Sequence, residues 1–256
     1  MIFSTPSFWY KKHSLAKFAL LPLSWVYGFF ARKRFDLYFP VPMEKPIICV
    51  GNIVAGGAGK TPAALALADL LKEAGHNPHF LTRGYGGRET GPLQVSPGRD
   101  TADDVGDEAL LLVEKAPTWV AANRALGAQI AMDSGASIVI MDDGFQNPVI
   151  YKNFSLIVVD GGASFGNGTI MPAGPLREPL KFGLARADAA VIVGDDRAQA
   201  AEKIKKLSTI PVFSAKLVPE PNNPDVGGKK VFAFAGIGRP QKFKEKLESG
   251  GAQISG

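Results

Sequence analysis

Short apolar runs recur along the chain, separated by stretches in which apolar residues return every three or four positions. The runs are Ile47-Ile48-Cys49-Val50, His79-Phe80-Leu81-Thr82, Trp119-Val120-Ala121, Ile138-Val139-Ile140-Met141, Leu156-Ile157-Val158-Val159-Asp160, Ala190-Val191-Ile192-Val193 and Val231-Phe232-Ala233-Phe234. Most are apolar on both faces, which predicts strands covered on both sides rather than half-exposed ones. Between them, Pro62 to Ala74, Asp103 to Glu114 and Asn123 to Asp133 carry helical spacing, and Gly75 and Gly135 close the first and third. Strands alternating with helices predict an α/β fold built on a mostly parallel sheet, with ligands gathered at the carboxyl ends of the strands.

The N-terminal segment breaks this rhythm. Phe18 to Ala31 runs for fourteen residues without a charge, and Arg32-Lys33-Arg34 follows it. That is shorter than the roughly 18–20 residues of a comfortable helical span, and Pro22 and Gly28 weaken a straight helix. Trp9, Trp25, Tyr27, Phe29 and Phe30 suit a lipid headgroup layer. The segment is read as an interfacial anchor or a marginal span; the alternative is a helix packed on the domain's own core.

Charge sharpens that reading. The net charge is +5, and residues 1–45 hold seven Lys/Arg against Asp36 and Glu44, so the whole excess lies there. A local basic segment argues against a broad nucleic-acid face and for contact with an anionic surface. The single cysteine, Cys49, excludes an internal disulfide, and the three histidines lack metal-ligand spacing.

Candidate chemistry clusters after the strands. Val54-Ala55-Gly56-Gly57-Ala58-Gly59-Lys60-Thr61 lies between a strand and a helix, the context of a phosphate-binding loop, although the strict pattern has glycine where Val54 stands. Its amides can cradle phosphate oxygens, Lys60 can reach the β- and γ-phosphates, and the Thr61 hydroxyl can ligate magnesium. Asp142-Asp143-Gly144-Phe145-Gln146 ends a strand where a magnesium-holding carboxylate belongs. Asp107 and Glu108 open a predicted helix; either they are simply acids that favour a helix start, or one faces the nucleotide as proton acceptor or metal ligand. Thr82-Arg83-Gly84-Tyr85-Gly86-Gly87 reads as a loop near phosphates or as a structural turn. In Pro172-Ala173-Gly174-Pro175-Leu176-Arg177-Glu178-Pro179, Arg177 can grip a phosphate and Glu178 can join a metal shell; a local ion pair is the plainer alternative.

Taken together and in order, these segments resemble the tetraacyldisaccharide 4′-kinase family, as does Ala235-Gly236-Ile237-Gly238. The resemblance implies a P-loop NTPase-like core with an N-terminal membrane-associating helix and a small second lobe. It implies transfer of the ATP γ-phosphate to the 4′-hydroxyl of an acylated glucosamine disaccharide 1-phosphate, forming lipid IVA at the cytoplasmic face of a bacterial inner membrane. Carried onto this chain, it makes Lys60 a phosphate ligand and Asp107 the proton acceptor. Thr61, Glu108, Asp142, Asp143 and Glu178 become candidates around Mg2+. The expected organisation is a membrane-associating segment over 1–45, a kinase core over 46–220 and part of a second lobe over 221–256. The family continues to a histidine-containing stretch that supports the catalytic aspartate, whereas here no histidine follows His79. A truncated, less active member is therefore expected. The competing expectations are a non-catalytic nucleotide-binding remnant and an ATP-dependent ligase.

Overall fold

The computed structural model describes residues 5–218, 226–233, 243–244, 247–248 and 250–255. The P-loop strand β1 (Ile47–Gly51) lies mid-sheet, paired in parallel with β5 (Ile138–Asp142) on one side and β6 (Phe154–Asp160) on the other. Beyond β5 come β2 (Pro78–Thr82), β4 (Thr118–Val120) and the short antiparallel edge strand β3 (Leu93–Gln94). Beyond β6 come β7 (Ala189–Val193) and β8 (Val212–Ala215). Among the described residues these eight strands form one sheet, in the order β3-β4-β2-β5-β1-β6-β7-β8. A separate parallel pair joins β9 (Lys230–Val231) to β10 (Gln253–Ile254).

Successive residues of each central strand point to opposite faces, and both faces are dry. Val50, Phe80, Ile140 and Val158 pack with Ala64 and Ala68 of α2 (Lys60–Glu73) and Leu112 of α4 (Asp107–Val113). Cys49, Leu81, Met141 and Ile157 belong to the opposite cluster with Ala128 of α5 (Arg124–Asp133), Leu184 of α6 (Leu180–Leu184) and Ile204 of α7 (Ala200–Lys205). Two-sided burial explains why the strands read as continuous apolar runs. Burial also pushes the Cys49 thiol up to about 12.

The predicted helix over Asp103 to Glu114 is two helices. A four-residue α3 (Ala102–Val105) ends at Gly106, and α4 starts at Asp107. Gly106 adopts φ +84°, and a Cβ there would stand 2.5 Å from the Tyr85 carbonyl oxygen. Only glycine accommodates both, so the Arg83–Gly87 loop and the start of α4 are fitted to each other.

The N-terminal helix α1 (Leu15–Asp36) is continuous through Pro22 and Gly28. It meets the body through a stripe of small residues. Ser24 Oγ donates to the Ile170 carbonyl at 2.8 Å and accepts from the Ala173 amide at 3.0 Å. A Cβ on Gly28 would lie 2.8 Å from Ile170 Cδ1, so glycine here permits close approach rather than weakening the helix. The opposite face is open: Trp25 is 71% exposed, Phe29 62% and Phe30 63%. No helix among the described residues is long and apolar enough to cross a membrane. Ahead of α1, the turn Ser7–Tyr10 is tied to the body by Trp9 Nε1, which donates to the Pro172 carbonyl at 2.9 Å. Of the expected strand Val231 to Phe234, Val231 alone is strand among the described residues, as the second residue of β9; Phe234 lies outside the described residues, as does Ala235-Gly236-Ile237-Gly238.

Candidate active site

The glycine loop and the proline-rich turn, far apart in sequence, are laced together by their backbones. The Ala55 amide donates to the Pro175 carbonyl at 2.7 Å, and the Arg177 amide donates to the Ile53 carbonyl at 2.8 Å. This lacing sets Arg177 and Glu178 beside the carboxyl ends of β1 and β5. Val54, Ala55, Gly56, Gly57 and Ala58 form the outer arm of the loop, and Gly59 precedes the first turn of α2. The cavity against that outer arm is only about 20 Å³, room for about one water.

Lys60 and Thr61 open α2, both only 9% exposed. Thr61 Oγ1 donates to Asp142 Oδ2 at 3.2 Å, and Lys60 Nζ lies 3.8 Å from Asp143 Oδ1. The two acids are therefore brought to the phosphate-loop residues, but their environments differ. Asp142 is 1% exposed, and its Oδ1 is buried with no hydrogen-bond partner among the described residues. Burial raises its pKa to about 7, and the nearby charges of Glu108 and Asp143 push in the same direction against Lys60 and the Thr61 hydroxyl. Asp143 is more open and sits in the left-handed region at φ +51°. That conformation, tolerated by aspartate though strained, turns its carboxylate toward Lys60 and Arg177.

A polar chain runs outward from there. Arg177 Nη1 donates to Asp143 Oδ1 at 2.9 Å and to Gln146 Oε1 at 3.1 Å. Gln146 Nε2 donates to the Asn52 carbonyl at 2.8 Å and to Glu178 Oε1 at 3.0 Å. Arg186 pairs with Glu178 Oε2. Glu178 is 1% exposed with both oxygens engaged, so it reaches a cation only by sharing an oxygen with one of these donors. Asp107 and Glu108 are exposed in the first turn of α4, and Glu108 is near enough to contribute to the shift of Asp142. Arg83 and Tyr85 are exposed on the neighbouring loop.

The residues fit a divalent cation. A carboxylate oxygen buried without a partner, beside a second acid and a hydroxyl, lacks positive charge and a ligand contact that a cation supplies. Among the described residues, no group of three His, Cys, Asp or Glu could hold a metal by itself. At a phosphate site Mg2+ is held by one or two carboxylates together with substrate oxygens and water.

Three further residues join this site without having stood out in the sequence. Gln146 ends a motif quoted above and Asn52 lies between β1 and the glycine loop, but their roles depend on partners tens of residues away. Arg124 is 5% exposed and donates to the Ala121 carbonyl at 2.7 Å. Burial first and Arg83 second lower its pKa to about 10, while Asp143 and Asp142 oppose the shift. A cation in the first turn of a helix runs against the helix dipole, and that mismatch just after Asn123 was the available signal.

Residues 16–256 match the family model described as Tetraacyldisaccharide-1-P 4′-kinase, LpxK. A tetraacyldisaccharide 4′-kinase of Paramagnetospirillum magneticum is 52% identical over 250 residues, covering 98% of this chain and 76% of that protein. One from Parvibaculum lavamentivorans is 50% identical, with coverages of 98% and 74%. A crystal structure of LpxK from Aquifex aeolicus in complex with ATP superposes with a TM-score of 0.72 at 26% identity, covering 93% of this chain and 80% of that one.

Proposed function

The chain belongs to the tetraacyldisaccharide-1-phosphate 4′-kinase family, and from that membership we propose how its residues divide the work of one phosphoryl transfer. The protein is a kinase of lipid A biosynthesis that phosphorylates the 4′-hydroxyl of a tetraacylated disaccharide 1-phosphate with ATP. The observation that carries the site assignment is the meeting of Lys60 and Thr61 with Asp142 and Asp143 at the ends of adjacent parallel strands.

The amides of Gly56, Gly57 and Gly59 and the start of α2 hold the phosphates of ATP, with Lys60 against the β- and γ-phosphates. Thr61, Asp142 and Asp143 would hold Mg2+, with Glu108 and Glu178 close by. When bound, this cation neutralises charge on the phosphates and lowers the repulsion an incoming oxygen meets. Asp107 accepts the proton of the 4′-hydroxyl as that oxygen bonds to the γ-phosphorus. The bond from phosphorus to the β–γ bridging oxygen breaks, and ADP leaves.

The helix α1 lies on an anionic lipid surface at the cytoplasmic face of the inner membrane. Its exposed aromatic face and the Lys/Arg groups on either side of it support this reading. The acylated acceptor enters along a groove of about 530 Å³ between α1 and the body, lined by Trp25, Phe29, Arg32, Lys33, Ile170 and Pro179. That volume is within the range of ligand sites, and its Pro179 end adjoins Glu178.

The test is transfer of label from γ-labelled ATP to a tetraacylated disaccharide 1-phosphate in mixed micelles. Wild-type protein yields labelled 4′-phosphorylated lipid, and Asp107→Asn lowers kcat by about 10²–10⁴-fold. Full activity in Asp107→Asn removes that residue as the base. Absence of labelled lipid from folded wild-type protein overturns the activity for this chain.

A further inference from the structure

Arg186 lies outside every motif discussed above, yet it closes the polar chain of the active site. It follows α6, and its guanidinium is caged by rings from three separate elements. The Cζ atom stands 3.9 Å from the centroid of Phe35, in the last turn of α1, and 4.8 Å from that of Phe182 in α6. It stands 4.5 Å from Phe145, which belongs to the turn carrying Asp142 and Asp143. Two of its nitrogens are spent on the site: Nη1 donates to the Phe145 carbonyl at 3.2 Å, and Nη2 pairs with Glu178. Its Nε is buried with no acceptor among the described residues, so ring faces take the place of a further hydrogen bond. From Glu178 the contacts continue through Gln146 and Arg177 to Asp143 and Lys60.

We propose that Arg186 is a positioning residue for phosphoryl transfer, fixing Glu178 and the 142–146 turn and registering the seat of α1 through Phe35. This rests on the reading that Glu178 and that turn belong to the active site. A planar fork that stacks on rings while donating in two directions is a task for arginine, which lysine cannot take over. The placement also gives α1 a route to the chemistry. Phe35 packs edge-on against Phe182, at 5.4 Å between centroids, and both rings bear on the same guanidinium. A shift of the helix end moves the group that holds Glu178.

The experiment is a double-mutant cycle with Arg186→Lys and Glu178→Gln, measuring kcat and the KM for ATP and for acceptor. The expected result for Arg186→Lys is a fall in kcat of about 10–10²-fold, the scale of a small misplacement at a reacting centre, with the KM for ATP within about twofold of wild type. In the double variant the loss equals that of Glu178→Gln alone. Losses that multiply mean that Arg186 does not act through Glu178, and overturn the proposal. Full activity in Glu178→Gln removes Glu178 from the site and fails the site reading together with this inference. An impaired Glu178→Gln leaves the site reading standing and the cycle then tests Arg186 alone. Phe35→Leu keeps an apolar side chain and guards against misfolding of the arginine variant. It lowers kcat about 3–10-fold in the Arg186 background and has no further effect in Arg186→Lys. An unchanged kcat in Phe35→Leu, at unchanged thermal stability, overturns the link to α1.

Discussion

Asp142 concentrates the tension of the site in one side chain. Its carboxylate is buried beside Glu108 and Asp143, and among the described residues only one oxygen has a hydrogen-bond partner. The folded state holds its proton up to about pH 7, against an ordinary value of 3.8. The unfolded chain therefore releases that proton first as pH rises. Stability linked to this group is fully present below about pH 4 and is lost progressively on the way to pH 7. With Mg2+ chelated, Asp142→Asn is expected to melt at a higher temperature than wild type at pH 8, and the gap is expected to narrow toward pH 4. Thermal scans of both proteins across that range check it; a constant gap would sink the assignment. The same substitution lowers kcat by at least about 10²-fold if the carboxylate meets the cation that offsets phosphate charge.

At the scale of elements, the sheet was legible because two-sided burial leaves apolar runs that need no partner to be recognised. β1, β2, β5 and β7 each contain the run read from the sequence and extend it by one residue. β8 was not legible, since Val212–Ala215 is partly exposed along its length and carries no such run. The break at Gly106 was hidden because acids on both of its sides favour a helix start, and what enforces the break is the Tyr85 carbonyl, a contact from another loop. Similarly, the sequence located the acids but not the polar chain joining them, whose links span more than 30 residues. The docking of α1 is equally non-local and makes its own prediction. Ser24→Ala leaves the Ala173 amide and the Ile170 carbonyl without their side-chain partner. The expected cost is about 1–3 kcal/mol, seen as a lower melting temperature and faster proteolysis between residues 163 and 175. Unaltered cleavage there would mean that Ser24 does not hold the turn.

For the molecule as a whole, charge and exposed apolar surface coincide at one end. All of the net +5 lies in residues 1–45, and the exposed rings of α1 lie in the same segment. Attraction of about 1 kcal/mol per basic residue near an anionic surface decides binding together with ring insertion. Replacing Lys33 and Arg34 by Glu is therefore expected to abolish co-sedimentation with vesicles containing phosphatidylglycerol at 0.15 M salt, without a change in melting temperature. Replacing Trp25 and Phe29 by Ser weakens binding even at low salt, where charge attraction is strongest. Retention of full vesicle binding by both variants would show that α1 is not the contact.

The lone cysteine bears on how such questions are pursued. Cys49 is sealed in the central strand with its thiol pushed up to about 12, so almost none of it is thiolate at neutral pH. A thiol-directed dye or spin label finds no native reaction site in the folded protein. A single cysteine introduced on the outer face of α1 then carries the sole signal, and fluorescence quenching or spin relaxation from that one position reads its depth in a bilayer against a silent background.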